Sequence, residues 1–122
     1  MGRDNNDLVS SFEIIRRLSG DKWKFLIICN LFHGPKRFGE LMYYVEPITK
    51  KVLTENLREL EGLEIITRTS YAGNIAKVEY ALTDMGQTLQ PVFQALIEWG
   101  LKYAHSYRQK LVDDETEILE TK

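Results

Sequence analysis

Near residue 62 the spacing of apolar side chains changes period, and that change restricts the fold more than any other feature of the chain. Leu53, Leu57 and Leu60 recur at the three-to-four-residue spacing of one helix face. From Ile65 onward the period is 2. Ile65-Ile66-Thr67-Arg68-Thr69-Ser70-Tyr71 is rich in β-branched residues, and Val78, Tyr80 and Leu82 alternate with polar or small ones. Ala72-Gly73-Asn74 supplies the turn between the two runs, so a β-hairpin is predicted. Thr83-Asp84 then caps a long last helix carrying Leu89, Phe93, Leu96, Ile97, Gly100 and Tyr103 along one stripe, with Pro91 placed to bend it.

Upstream of the switch the pattern is helical throughout. Leu8, Phe12, Ile15 and Leu18 form one stripe of a first helix, which Ser19-Gly20 ends. Asp21 is placed to cap a second helix running from Lys22 to about Phe32. That helix is apolar almost all round and must be buried on most sides, a central strut closed by His33-Gly34-Pro35. Phe38, Leu41, Met42 and Val45 mark a short third helix ended by Pro47, and Thr49 can cap a fourth. Two short helices joined so tightly are the sequence signature of a helix-turn-helix. The whole order predicts an α+β, mostly helical chain: a winged helix-turn-helix with a hairpin wing and a long C-terminal dimerisation helix. One domain is expected over residues 1–112, followed by an acidic, solvated tail over 113–122.

Charge is distributed unevenly over this plan. The net charge is −2, yet nine basic and six acidic residues lie between Lys22 and Lys77, against four basic and eight acidic beyond. A polyanion would therefore meet the middle of the chain. On a helical wheel Lys51, Thr54, Glu55 and Arg58 cluster opposite the leucines of the fourth helix, with Lys50 at the margin. Thr49, Lys50, Lys51 and Thr54 stand near its N-terminus, the end that enters the major groove in this motif. Lysine there can donate to guanine O6/N7 or to phosphate, and threonine can touch a thymine methyl. Lys36 and Arg37, just before the third helix, are placed to grip the backbone. Gly73 and Asn74 form a slim wing tip with Arg68 and Lys77 at its shoulders. The first and last helices together carry more apolar surface than one small winged helix can hide. Leu8, Phe12, Phe93, Leu96, Trp99 and Tyr103 are accordingly expected at a homodimer interface, the later ones shared with the core.

The residues that carry these features also resemble a known family. Gly20-Asp21-Lys22-Trp23, Gly34-Pro35-Lys36-Arg37-Phe38-Gly39-Glu40-Leu41, the run from Ile48 to Leu60, Val78-Glu79-Tyr80-Ala81-Leu82-Thr83 and Gly86 look like the successive signature blocks of the HxlR-type regulators, and Trp99 follows as a tryptophan commonly does there. The resemblance covers about residues 10–105. It implies a homodimer, joined through its first and last helices, that binds near-palindromic double-stranded operator DNA as a repressor or activator. The chain departs from the pattern twice. Ser10 stands where many relatives carry a cysteine, which argues against a thiol sensor at that position. Relatives also have a glycine two residues after the position of Gly62. Either the fourth helix ends at Gly62 or Glu64 takes the place of that glycine, and Gly62 is the better C-cap because positive φ costs it little.

Other chemistry finds little support. Cys29, the single cysteine, lies in the most apolar helix and is expected to be buried and inert. His33 and His105 make no metal-site spacing with it. No phosphate loop, nucleophile elbow or carboxylate pair appears, Glu59 and Glu61 reading as a solvated helix face, so neither an enzyme nor a cofactor is expected. Met1-Gly2-Arg3-Asp4-Asn5-Asn6 is followed by no apolar run, and a cytoplasmic location without a membrane partner is expected. The acidic net charge supports one rival, a winged helix used as a protein-interaction module. A small-molecule effector at the dimer seam is compatible with the first reading, and the sequence does not name one.

Overall fold

The computed structural model describes residues 4–71 and 77–120, the last four of these by backbone alone. The chain divides into two compact units, Met1–Thr88 and Leu89–Lys122. In the first, α1 (Asn5–Ser19) begins at Asp4, whose carboxylate accepts from the Asp7 N–H at 3.0 Å. Asp21 caps α2 (Lys22–Leu31), accepting from the Trp23 N–H at 2.8 Å. Gly34, at φ 126°, turns the chain out of α2 into a conformation that disfavours any residue with a Cβ. There follow β1 (Lys36–Arg37), α3 (Phe38–Tyr44), α4 (Lys50–Gly62), β2 (Ile66–Ser70), β3 (Val78–Leu82) and α5 (Asp84–Gln87).

The sheet has the order β1-β3-β2, antiparallel throughout. Ile66 pairs with Leu82 and Ser70 with Val78, so the hairpin forms with the expected period. Val78, Tyr80 and Leu82 are buried while Glu79 and Ala81 between them are half-buried. β1 was not predicted: two residues carry no period to read. The core gathers Ile27, Ile28 and Leu31 of α2, Leu41 and Val45, Leu53, Leu57 and Leu60 of α4, and the inner residues of the sheet. Burial on this scale is what holds so small a unit together. The expected central strut is thus α2, although one of its buried residues is Lys24, on the same stripe as Ile27, Ile28 and Leu31.

Two local expectations are corrected. Gly62 is not the left-handed cap of α4; it stays in the helix, and Glu64 takes φ 60°. The Glu64 N–H donates to the Glu61 carbonyl at 2.9 Å and the Ile65 N–H to Leu60 at 3.0 Å. This is the paired-bond helix stop that normally takes glycine at its left-handed residue. Buried Leu60 and Ile65 fix where the helix stops, and that leaves Glu64 in the strained position. The long last helix is also broken in two, α5 ending at Gln87 and α6 (Leu89–Glu120) starting after Thr88. Pro91 has no N–H to continue the helical bonding across this point. α6 runs 32 residues and includes the acidic Asp113-Asp114-Glu115. On it Trp99 stacks on Tyr103 at 5.3 Å between ring centres, and Tyr103 on Tyr107 at 6.2 Å.

Candidate nucleic-acid interface

The helix-turn-helix is α3, the Val45–Thr49 turn and α4. At its entry the Arg37 N–H donates to Glu40 Oε1 at 3.0 Å, which satisfies an end group of α3. At the start of α4 the Thr49 hydroxyl accepts from the Val52 N–H at 3.2 Å. Thr49 is thereby committed to capping, with its hydroxyl proton and one lone pair left over for a ligand. Lys50 and Lys51 occupy the first turn of α4, both exposed; Arg58 is exposed two turns on, and Thr54 between them is half-buried. Leu53, Asn56, Leu57 and Leu60 are buried on the opposite side. Among the described residues of its own unit, the cationic side of α4 is therefore uncovered.

Lys36 and Arg37 form β1, which pairs Lys36 with Tyr80 and Arg37 with Glu79. That pairing brings Arg37 within two register positions of Lys77 and Lys36 within three, and Lys77 lies exposed just before β3. Lys36 is half-buried, its Nζ donating to the Gly34 carbonyl at 3.3 Å, whereas Arg37 is exposed. Arg68 is exposed on β2, across from Tyr80. Among the described residues no ion pair engages Arg37, Lys50, Lys51, Arg58, Arg68 or Lys77. The predicted wing tip, Gly73 and Asn74, lies outside the described residues.

The expected interface residues divide. Leu8 and Phe12 of α1 are exposed, as are Leu96, Trp99 and Tyr103 of α6, while Phe93 is only 2% exposed.

Sequence reading missed two side chains that set α4. Lys24 Nζ lies 2.6 Å from Glu59 of α4 and 3.8 Å from Asp21, with 10% of its side chain exposed. Glu59 is thus no merely solvated acid: it neutralises a buried lysine and ties α4 to α2. A lysine on the apolar stripe of α2 is itself a signal that an acid must face it, although only the fold says which. Asn56, on the inner face of α4, donates to the Val52 carbonyl at 2.8 Å, and its buried Oδ1 has no hydrogen-bond partner among the described residues. Cys29 is half-buried and burial pushes its thiol pKa up. Among the described residues no cluster of histidine, cysteine and acidic groups could hold a metal.

A tight pair of helices whose second member offers a free cationic face, followed by a paired β-hairpin, defines a winged helix-turn-helix protein of the DNA-binding class. Comparison with known proteins makes this specific. The profile of the HxlR-like helix-turn-helix family matches residues 18–108, and the chain belongs to that family. It is 39% identical over 109 residues to the HTH-type transcriptional regulator YkvN of Bacillus subtilis, covering 89% of this chain and 90% of that protein. Among solved structures it resembles the redox regulator HypR in its reduced form, with a TM-score of 0.75 and 35% identity over 81% of this chain and 98% of that one. It also resembles the quinone-bound YodB of B. subtilis, with a TM-score of 0.66 and 39% identity over 76% and 98% of the two chains.

Proposed function

We propose that the protein is a cytoplasmic transcription regulator that binds a near-palindromic DNA operator as a homodimer, each protomer placing α4 in a major groove. The observation that carries this reading is the uncovered cationic side of α4, held outward by buried Leu53, Leu57 and Leu60. Family membership and the transcriptional-regulator names of the relatives support it. In this reading Lys50, Lys51 and Thr54 meet base edges or adjacent phosphates, with Arg58 further along the groove. Thr49 fixes the helix end, and Lys36, Arg37 and Lys77 hold the backbone. Exposed Leu8 and Phe12 of α1 and Leu96, Trp99 and Tyr103 of α6 supply the apolar surface for dimerisation. No described helix is long and apolar enough to cross a membrane.

A salt titration of binding to the protein's own upstream DNA tests the reading. Three backbone cations per protomer make six phosphate contacts in a dimer, so log affinity should fall against log salt with a slope of roughly −5 or steeper. A flat dependence, or no binding to duplex DNA, would favour the protein-interaction module instead.

A further inference from the structure

Two adjoining hollows open between α1, the start of α2, and the segment that ends α4 and leads into β2. One is ringed by charged residues, with Arg16, Arg17, Asp21, Lys24, Glu59 and Leu63 among its lining. The other is apolar, with Ile14, Leu18, Leu63, Ile65 and Met85 around it, and Glu13 and Arg17 at its rim. Arg17 and Leu63 belong to both. The apolar hollow encloses about 330 Å³, the lower end of the range for small-ligand sites. Leu18 and Ile65 are buried at its base, while Ile14 and Met85 remain 62% and 66% exposed, apolar surface that solvent disfavours.

The charges around the two hollows are not evenly matched in contacts. Glu13 is held by Arg16 at 2.9 Å. Glu59 is held by Lys24 at 2.6 Å, and Asp21 is committed to capping α2. Arg17 is the cation left over: among the described residues its side chain enters no close ion pair or hydrogen bond, and its charge only adds, at longer range and after Arg16, to the lowering of the Glu13 carboxyl pKa. An unspent guanidinium at the lip of an apolar hollow complements one kind of molecule, an anion with an apolar body, whose carboxylate takes the guanidinium as a two-toothed partner.

We propose that this groove binds a small monocarboxylate with an aliphatic or aromatic body, its carboxylate on Arg17 and its apolar part against Ile14, Leu18, Leu63, Ile65 and Met85. The site is separate from the cationic side of α4 and does not rest on the DNA reading. It does reach Leu63, the residue that closes α4, so a ligand seated there contacts the end of the DNA-side helix.

The test is calorimetric titration of the intact protein with octanoate at neutral pH, without DNA, so that failure of the operator reading leaves it untouched. Saturable binding of one octanoate per chain is expected. 1-Octanol, which keeps the chain and lacks the charge, should bind at least tenfold more weakly. Arg17→Gln, at an exposed position, should lose at least tenfold in octanoate affinity. Met85→Glu, which puts a second anion at the apolar wall, should abolish binding without unfolding the protein, because an acid is tolerated in the first turn of α5. Equal binding of octanol, an Arg17→Gln variant that binds octanoate normally, or no saturable heat with octanoate would each overturn the proposal.

Discussion

Glu64 bears a conformational cost that no side-chain contact among the described residues offsets. A left-handed backbone costs an L-residue roughly 1–2 kcal/mol, against which glycine loses about 0.5–1 kcal/mol of extra chain entropy on folding. Its carboxylate also sits just past the C-terminus of α4, where the helix dipole disfavours an anion. Glu64→Gly should therefore stabilise the protein by about 1 kcal/mol, read as a rise of a few degrees in the thermal midpoint. A lower midpoint would mean that the Glu64 side chain makes a contact the geometry does not show. Gly86 presents the opposite case. A Cβ there would collide with the Ile65 carbonyl oxygen, the oxygen that also accepts from the Thr83 N–H at 2.9 Å. The signature glycine is thus explained by close approach of backbone to backbone rather than by φ. At Cys29 the raised thiol pKa and half-burial leave little thiolate at neutral pH. With Ser10 where the family resemblance points to a cysteine in many members, operator binding should be unchanged by diamide, and iodoacetamide should label Cys29 several-fold more slowly in the folded protein than in urea. Loss of DNA binding on diamide treatment would establish a redox response through this thiol.

At the scale of elements, α4 and the sheet divide the proposed work. Thr54 is half-buried beside the exposed lysines of the first turn and is proposed to meet a base edge. Lys77 lies exposed just before β3, two residues from the Glu79 that pairs with Arg37, and is proposed to hold the sugar–phosphate chain. Thr54→Ala should change base preference at one position by about 1 kcal/mol. Lys77→Ala should weaken all sequences alike and make the salt slope shallower by about 0.9 for each contact removed. The same effect from both would dissolve the division. These elements were legible in sequence to the extent that periodicity reports burial. Leu53-Leu57-Leu60 gave α4 its inner face and Val78-Tyr80-Leu82 gave β3 its buried side, so the opposite faces followed. What periodicity does not report is pairing between distant segments. β1 exists only because Lys36-Arg37 lies beside Tyr80 and Glu79, and the Lys24–Glu59 pair exists only because α2 crosses α4. The end of α4 was misassigned because glycine's tolerance of positive φ was weighed, while the demand of Leu60 and Ile65 for burial fixes the stop two residues later.

For the whole molecule, the apolar residues left in water pose the main question. Leu8, Val9, Phe12, Ile14 and Ile15 of α1 are each more than half exposed, and α6 adds Trp99, Leu101 and Tyr103. Apolar surface left exposed on each of these helices supports the proposed association, and two-fold pairing would present two copies of α4 to one face of a duplex. The account's central claim, that α4 of each protomer lies in a major groove, is tested most directly by probing guanine N7 methylation on bound operator. The account predicts protection in two patches with centres about one helical turn, roughly 34 Å, apart, both lost in a Lys50→Ala/Lys51→Ala variant. Tight binding with no N7 protection, or two patches that survive removal of both lysines, would contradict it.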